Sequence, residues 1–276
     1  MDANKVWLIT GCSRGIGRSL AETVLKNGGK VAVTARNTDD IQELINQYPK
    51  TAINLKLDVT RPDTITKAVS TTKSQFGRID ILVNNAAYGS FGTIEETPDI
   101  ELRRIFDTNF FGVVNVIREV LPIMREQGSG HIINMSAAGG LVATACLGPF
   151  AATKFALEGM TEALADELEP LGIQVTLVEP GPTRTTFLNT MLKFEGISDY
   201  NSSHEELGTI LEQYKGNQPS DPAKISAAIT EIAGIPGAPL RLVLGKFALE
   251  RIREKLTDLN ETMNAWEATS EKVDFD

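Results

Sequence analysis

Short apolar runs of strand length alternate with segments of helical pattern along nearly the whole chain. The apolar runs lie at 6–10, 30–35, 52–59, 79–85, 130–136, 173–180 and 240–245. The segments of helical pattern lie at 15–27, 38–47, 62–76, 101–127 and 150–171. Continuous apolar strands that alternate with amphipathic helices are typical of a parallel sheet covered by helices on both faces. No repeat or Pro/Gly/Ser-rich linker divides the pattern, so the sequence predicts one doubly wound α/β domain with about seven strands.

The composition argues against several classes of protein. The 276 residues carry a formal net charge of -9, which opposes binding to a polyanion such as a nucleic acid. The two cysteines, Cys12 and Cys146, are too few for a disulfide framework. The N-terminal residues lack a signal-peptide pattern, and the least polar stretch, 137–152, is short for a membrane span and is interrupted by glycine and proline. We expect a cytoplasmic protein with no nucleic-acid or membrane partner and no metal site.

A glycine-rich loop, TGCSRGIG at 10–17, follows the first predicted strand and opens the first predicted helix. Gly11, Gly15 and Gly17 let the backbone turn tightly and approach a pyrophosphate, whose charge a helix N-terminus favours. The position within the first strand–helix–strand unit is the context that a dinucleotide-binding motif requires. The alternative is a tight strand-to-helix turn with no ligand.

Two arginines indicate which dinucleotide binds. Arg36 stands at the end of the second predicted strand, 19 positions after Gly17. An acidic residue in this region favours the ribose hydroxyl of NAD, whereas an arginine suits the 2′-phosphate of NADP. Arg14, within the glycine loop, approaches the same phosphate from the other side. Each arginine alone is also compatible with a solvated surface charge, but together they predict NADP(H).

The segment GPFAATKFALEG at 148–159 places an aromatic residue four positions before a lysine. A tyrosine and a lysine at this helical spacing would form a proton donor and its electrostatic helper. The aromatic residue here is Phe150, which has no proton to give. Lys154 is present.

The motifs, in their order along the chain, resemble the classical short-chain dehydrogenase/reductase family. The matching positions are the glycine loop at 10–17, Asp58 and Val59, the Asn-Asn-Ala-Ala segment at 84–87, Asn109, Ser136, Phe150 with Lys154, and Pro180, Gly181 and Thr185. The resemblance spans residues 5 to about 250 and implies a Rossmann-type fold. Two positions depart from the family pattern: an alanine ends the 84–87 segment, and Phe150 replaces the tyrosine.

The resemblance implies a set of site residues and a mechanism. Coenzyme contacts are expected from Gly11, Ser13, Arg14, Gly15, Ile16, Gly17, Arg36, Asp58, Val59, Asn85, Ala86, Lys154, Pro180, Gly181 and Thr185. The catalytic positions are Asn109, Ser136, Phe150 and Lys154. Ser136 would stabilise negative charge on a carbonyl oxygen, Lys154 would lower the pKa of a tyrosine and bind the ribose, and Asn109 would hold a water that links Lys154 to solvent. Ordinary structural roles are the alternative for each: a loop cap for Ser136, helix packing for Asn109 and a surface charge for Lys154.

Phe150 leaves three interpretations open. The chain is a deliberately inactivated form of an NADPH-dependent reductase of ketones or aldehydes; or the phenylalanine is natural and the fold performs NADP-dependent chemistry that needs no tyrosine acid; or the protein is a nucleotide-binding sensor without turnover. The intact Ser136, Asn109 and Lys154 favour the first interpretation.

The rest of the chain gives weaker predictions. Residues 186–221, called here the lid segment, mix aromatic and aliphatic residues with polar ones and predict a mobile lid over an apolar substrate pocket, or else a packed surface excursion. The acidic stretch 265–276 is expected to be a frayed tail. By resemblance, helices 101–127 and 150–171 form the interface of a homodimer or homotetramer. We expect a structural role for His131, an exposed position for His204 and a buried, space-filling role for Cys146.

Overall fold

The computed structural model describes residues 4–275 and contains a central sheet of seven parallel strands. These strands are β1 (Val6–Ile9), β2 (Lys30–Ala35), β3 (Ala52–Lys56), β4 (Ile81–Asn84), β6 (Gly130–Met135), β7 (Ile173–Pro180) and β9 (Arg241–Leu244), and their order in the sheet is β3-β2-β1-β4-β6-β7-β9. Two short strands, β5 (Ser90–Phe91) and β8 (Leu192–Lys193), pair in parallel outside this sheet. The predicted single α/β domain of the Rossmann type is confirmed.

Helices connect the strands and cover both faces of the sheet. They are α1 (Gly15–Lys26), α2 (Gln42–Gln47), α3 (Pro62–Phe76), α4 (Asp99–Phe106), α5 (Gly112–Gln127), α6 (Gly148–Leu168), α7 (Asn201–Tyr214), α8 (Pro222–Ile232) and α9 (Lys246–Ser270). A π-helical turn at Asp107–Phe111 joins α4 to α5. None of the helices that the structure describes is both long and apolar enough to cross a membrane.

The strands are mainly apolar because each face of the sheet supports its own core. In β1, Trp7 and Ile9 pack on the side of α1 and α8, whereas Leu8 packs on the side of α3 and α5. All three side chains are fully buried. Successive side chains of a strand point to opposite faces, so a strand covered on both sides presents apolar side chains to both of them.

Helix α3 shows how local residues set the limits of an element. Pro62 occupies the start of the helix, where its missing N–H costs nothing and its fixed φ suits the first turn. Gly77 ends the helix in the left-handed conformation, with φ of 81°, and its N–H donates to the carbonyl of Lys73 at 2.8 Å. The predicted bounds of α3 therefore match the observed ones.

The strand order creates a crevice at the carboxyl edge of the sheet. The chain runs outward from β1 to β2 and β3, and then crosses to β4 on the other side of β1. Connections leave in opposite directions at such a switch point, and ligands of doubly wound sheets bind there. Gly11 follows β1, Asn85 follows β4 and Ser136 follows β6, so all three lie at this edge.

The stretch 265–276 differs from its prediction. Helix α9 continues to Ser270, and a 3₁₀ turn follows at Glu271–Val273. The prediction of a frayed tail rested on the acidic composition alone and is wrong for residues 265–273, which are helical. Residue 276 lies outside the described residues.

His131 and Cys146 occupy the places expected for them. His131 is buried, its Nε2 lies 2.9 Å from Thr176 Oγ1, and its Nδ1 accepts the N–H of Gly234 at 2.9 Å. Burial and the nearby charge of Lys5 lower the pKa of His131 to about 4, so it remains neutral. Cys146 is buried as well, with an unusual φ of 61°.

Candidate active site

A cavity of about 1110 Å³ opens at the carboxyl edge of the sheet. It exceeds the range of roughly 300–1,000 Å³ that a single small ligand usually fills. The predicted residues that line it are Gly11, Ser13, Arg14, Gly15, Ile16, Arg36, Asp58, Val59, Asn85, Ala86, Ser136, Phe150, Lys154, Pro180, Gly181 and Thr185. Gly17 and Asn109, the other two predicted residues, lie behind the cavity wall.

The glycine loop has the conformation that only glycine readily adopts. Gly11 and Gly15 have φ of 74° and 63°. A side chain at Gly17 would overlap the carbonyl oxygen of Gly11 and the side-chain amide of Asn85. Asn85 Nδ2 donates to the carbonyls of Thr10, at 2.9 Å, and Gly11, at 3.1 Å. The loop after β1 is thereby fixed to the end of β4, and Gly17 serves this close packing rather than the cavity surface.

The N-terminus of α1 is suited to an anion. Arg14 precedes the helix in an extended conformation, and its side chain makes no capping hydrogen bond. The first turn of α1 contains no acidic residue. The first N–H groups of a helix carry a partial positive charge, and here no side chain of the loop neutralises it. A phosphate group fits this position.

Arg14 and Arg36 both line the cavity, in the segments that follow the adjacent strands β1 and β2, and both are exposed. Within residues 4–275 neither arginine forms an ion pair with a carboxylate, in contrast to Arg18, which pairs with Glu22 and Glu43. Asp58 is held nearby in a turn, because its Oδ1 accepts from Thr60 N at 3.0 Å and from Thr60 Oγ1 at 2.7 Å. Two unpaired guanidinium groups therefore line the cavity after these two strands.

Ser136 and Lys154 form the centre of the cavity. Ser136 directly follows β6, and its Oγ is buried without a hydrogen-bond partner within the described part of the chain. Lys154 Nζ donates to the carbonyl of Met135 at 2.7 Å. Burial lowers the pKa of Lys154 to about 8, and the charge of Glu158 one helical turn away opposes the shift. A cationic ammonium group and an unsatisfied hydroxyl thus lie on either side of the end of β6.

The ring of Phe150 fills the position between these groups and the lid segment. Its centroid lies 5.7 Å from Lys154 Nζ, which is within the range of a cation–π contact. On its other side the ring packs against Phe187, with centroids 5.6 Å apart and planes at 56°. Neither ring carries a dissociable proton, so this wall of the cavity offers no acid.

Asn109 lies in the π-helical turn between α4 and α5 and is completely buried. Its Nδ2 donates to the carbonyl of Tyr88 at 2.9 Å and to Thr153 Oγ1 at 3.2 Å, and its Oδ1 accepts the N–H of Tyr88 at 3.1 Å. Both amide hydrogens are therefore used within the protein. The side chain holds the segment after β4 against α6, which is close to the helix-packing role given as the alternative for Asn109. π-helical turns of this kind are frequent at functional sites.

The outer part of the cavity is mainly apolar. Its aliphatic and aromatic lining consists of Val142, Leu147, Phe187, Leu188, Leu192, Leu207, Ile210, Leu211, Tyr214 and Phe247, and polar members include Thr144, Thr186, Thr190, Glu206, Gln213 and Arg251. Most of these residues belong to the lid segment, which contains β8 and α7. The lid segment therefore covers the part of the cavity beyond Phe150.

The lid segment is attached to the loop before α4 through Glu96. This carboxylate accepts the N–H of Ile197 at 2.7 Å, the N–H of Thr93 at 2.7 Å and His204 Nε2 at 2.8 Å. Burial opposes ionisation of Glu96, but these hydrogen bonds outweigh it and lower its pKa to about 2. The prediction that His204 is exposed is wrong, because its imidazole is half-buried between Glu96 and the ring of Phe91.

A charged cluster behind α6 was not predicted. Arg241 on β9 contacts the carboxylates of Glu158, Glu162 and Glu179. Burial and the charge of Glu158 raise the pKa of Glu179. Three carboxylates around one guanidinium position α6, and with it Lys154, against β7 and β9. Sequence reasoning had no signal for this cluster, since its members come from three separate elements.

Comparisons with known proteins agree with this geometry. The family model described as short chain dehydrogenase matches residues 5–195. An oxidoreductase from Botryotinia fuckeliana, BOA17, is 33% identical over 96% of this chain and 98% of its own length. A 3-ketodihydrosphingosine reductase from Bacteroides thetaiotaomicron is 35% identical over 87% of this chain and 88% of its own length.

Solved structures show the same fold. A short-chain dehydrogenase from Streptomyces avermitilis superposes with a TM-score of 0.90 at 39% identity, covering 98% of this chain and 99% of that protein. A serine dehydrogenase complexed with NADP+ has a TM-score of 0.76 at 26% identity, with 87% and 94% covered. A 3-ketoacyl-(acyl-carrier-protein) reductase from Brucella melitensis complexed with NADH has a TM-score of 0.74 at 26% identity, with 87% and 96% covered. The chain therefore belongs to the short-chain dehydrogenase family of oxidoreductases.

Proposed function

We propose that this chain catalyses the NADPH-dependent reduction of a medium-sized hydrophobic ketone or aldehyde, or the reverse oxidation of the alcohol by NADP+. We propose further that the proton-donating group of this enzyme is missing. One observation carries the proposal. A single cavity runs from the glycine loop past Ser136, Lys154 and Phe150 into the apolar chamber under the lid segment. The groups for binding and for charge stabilisation are present along this path, and position 150 supplies no acid.

The residues present fit a dinucleotide with a 2′-phosphate. The uncapped N-terminus of α1 would hold the pyrophosphate, and Gly17 allows the loop to pack closely beneath it. Arg14 and Arg36 would hold the 2′-phosphate, because neither is committed to a carboxylate of the described chain. Asp58, Val59 and Ala86 would line the adenine end, and the segment from Pro180 to Thr185 would line the nicotinamide end.

When bound, the reduced nicotinamide supplies a hydride to the carbonyl carbon. Negative charge then grows on the carbonyl oxygen, and Ser136 Oγ is free to donate a hydrogen bond to it. Lys154 adds a positive charge close by, held in place by the carbonyl of Met135. The proton that the oxygen needs would come from a hydroxyl at position 150. With Phe150 it comes from water, and loss of a positioned acid costs on the order of 10²–10⁴ in rate.

The lining of the outer chamber supports a hydrophobic substrate. Its aliphatic and aromatic side chains stabilise apolar groups by removing their surface from water, at roughly 25 cal/mol per Å². The relative from Bacteroides thetaiotaomicron, named as a reductase of a 3-keto compound, is consistent with a ketone at the reacting end. For the assembled protein we propose a cytoplasmic homodimer or homotetramer that uses α5 and α6. Phe155 on α6 and Phe111, in the π-helical turn just before α5, are both exposed.

The test is to measure NADPH oxidation by this chain and by its Phe150→Tyr variant against a series of hydrophobic ketones and aldehydes. We expect the variant to be faster by two or more orders of magnitude. Phe187→Tyr is the matched control, since it adds the same hydroxyl to the adjacent ring, 5.6 Å away, and it should leave the rate unchanged. Equal inactivity of all three proteins, with NADPH still bound, would show a repurposed or sensing protein instead of a reductase.

A further inference from the structure

The C-terminal part of α9 projects from the domain as an unsupported helix. Ile252 is its last buried residue, and every residue from Arg253 to Phe275 is exposed. At 1.5 Å per residue, the projecting part to Ser270 is about 27 Å long. Helices in proteins are stabilised mainly by the packing of an apolar face, which this part of the helix lacks within its own chain.

An apolar seam nevertheless runs along the projecting helix. Its members are Leu249, Ile252, Leu256, Leu259, Met263 and Trp266, which are spaced alternately three and four residues apart. The four outermost side chains, from Leu256 onward, are between 47 and 62% exposed. Alternating spacings of three and four are the pattern of a coiled-coil seam, in which each side chain inserts between residues of a second helix.

The charges of the helix indicate what this second helix is. Residues 246–255 contain four basic and two acidic residues, whereas residues 256–270 contain three acidic residues and no basic one. Arg253, Lys255 and Glu267 form no ion pair within residues 4–275. A second copy of α9 running antiparallel brings the basic residues Arg253 and Lys255 of one helix toward Glu267 of the other, whereas a parallel copy would keep each of these residues level with its own counterpart.

We propose that α9 pairs antiparallel with α9 of a second copy of this chain, in an interface separate from α5 and α6. With the two helices centred near Glu261, Leu256 lies opposite Trp266 of the second copy and Leu259 lies opposite Met263. Arg253 then lies beside Glu267 of the second copy. The contact is symmetric about a two-fold axis, so each α9 pairs with one partner helix. The proposal does not depend on the proposed enzymatic function.

Sedimentation equilibrium of the full chain tests the pairing. The seam variant Leu259→Glu with Met263→Glu should halve the molecular mass of the assembly. The matched control, Ala265→Glu with Ala268→Glu, adds the same charges to the outer face of the same helix and should keep the mass of the unaltered chain. A monomeric unaltered chain, or a seam variant with unchanged mass, overturns the proposal. Binding of the unaltered monomer to lipid vesicles would assign the seam to a membrane surface instead.

Cysteine cross-linking tests the direction of the pair. Chains carrying Arg253→Cys and chains carrying Glu267→Cys are mixed and mildly oxidised, while Cys12 and Cys146 stay buried. Antiparallel pairing predicts a disulfide between the two different chains. In a parallel pair these positions are about 21 Å apart along the axis, too far for a disulfide. Absence of the mixed disulfide in an assembly of the expected mass overturns the antiparallel arrangement. NADPH binding should be unchanged in every variant, which confirms folding and separates this test from that of the coenzyme site.

Discussion

Lys154 Nζ lies 5.7 Å from the centre of the Phe150 ring and donates to the carbonyl of Met135. The ammonium group therefore faces a ring that cannot respond to it by losing a proton. A tyrosine hydroxyl at this position would have its pKa lowered by the same charge. Phe150 keeps the shape of the site and removes the hydroxyl, and with it both the proton donor and this electrostatic coupling.

Lys154 should give the protein an unusual dependence of stability on pH. Burial lowers its pKa to about 8 in the folded chain, against 10.5 for an ordinary lysine. Between these two values the unfolded chain binds the proton more tightly, so stability rises with pH, by about 3 kcal/mol over the whole interval. Urea unfolding of the unaltered chain and of Lys154→Met should show this rise only in the former. Lys67→Met, at an exposed position, is the control and should retain it. If the free energy of unfolding of Lys154→Met rose with pH as much as that of the unaltered chain, the prediction would be contradicted.

Ser136→Ala should separate stability from activity. The hydroxyl is buried without a partner, so its removal should leave the free energy of unfolding unchanged or raise it by about 1 kcal/mol. In the Phe150→Tyr background it should lower turnover by roughly 10²–10³, because a donor to the developing oxyanion is lost. Ser90→Ala removes another buried hydroxyl without a described partner, away from the cavity lining, and should leave turnover unchanged. Equal turnover in both variants would exclude Ser136 as the donor.

Arg36→Ala should weaken NADPH binding and leave NADH binding nearly unchanged, since only NADPH has the phosphate that this guanidinium would contact. Loss of a hydrogen bond to a charged group costs about 1.5–3 kcal/mol, or roughly a tenfold to hundredfold rise in Kd. Calorimetric titration of both coenzymes measures the difference. Arg125→Ala removes the same charge from an exposed position on α5 and controls for net charge. An equal loss for NADH and NADPH would place Arg36 outside the phosphate site.

Glu96→Gln should loosen the lid segment. Donors from Thr93, Ile197 and His204 converge on two carboxylate oxygens, and glutamine offers one acceptor and one opposing donor. Hydrogen exchange at the Ile197 amide should accelerate at least about tenfold. Glu95→Gln, whose side chain contacts Tyr200 at the surface, should have a small effect.

The pH dependence of the stability of Glu96→Gln tests whether the charge of Glu96 holds the lid segment. The pKa of Glu96 is lowered to about 2 from an ordinary 4.5, so its contribution to stability is complete above 4.5 and is lost as the pH falls from 4.5 toward 2. The difference in stability between the unaltered chain and Glu96→Gln should shrink over that interval. A difference that does not change with pH would mean that ionisation of Glu96 is not what holds the lid segment.

Elements with strong local patterns could be predicted from the sequence. The bounds of β2 and β7 match the predictions because strands buried on both faces are mainly apolar and differ in composition from the loops beside them. Family motifs likewise identified the residues that line the cavity. The sequence did not reveal β5 and β8, which have two residues each and exist only because distant segments pair.

Other features depend on contacts that no local pattern encodes. His204 looked exposed because its neighbours are polar, yet its partner Glu96 lies 108 residues earlier. The π-helical turn at Asp107–Phe111 holds Asn109 between Tyr88 and Thr153, and nothing in the residue types of the turn indicates it. In the stretch 265–276 the acidic composition indicates a tail, whereas the apolar spacing that begins at Leu249 indicates the helix that is observed to Ser270.

The hydrogen bonds from Asn85 to the carbonyls of Thr10 and Gly11 give the cavity two unlike walls. One wall consists of glycine-rich main chain held by the Asn85 side chain, where a side chain added at Gly11 or Gly17 would collide with a neighbour. The other consists largely of side chains of the lid segment. Variation that redirects the protein to another molecule can therefore accumulate in that segment while the nucleotide half stays as it is. Substitutions in the lid segment can therefore change which molecule is bound without disturbing the fold of the nucleotide half.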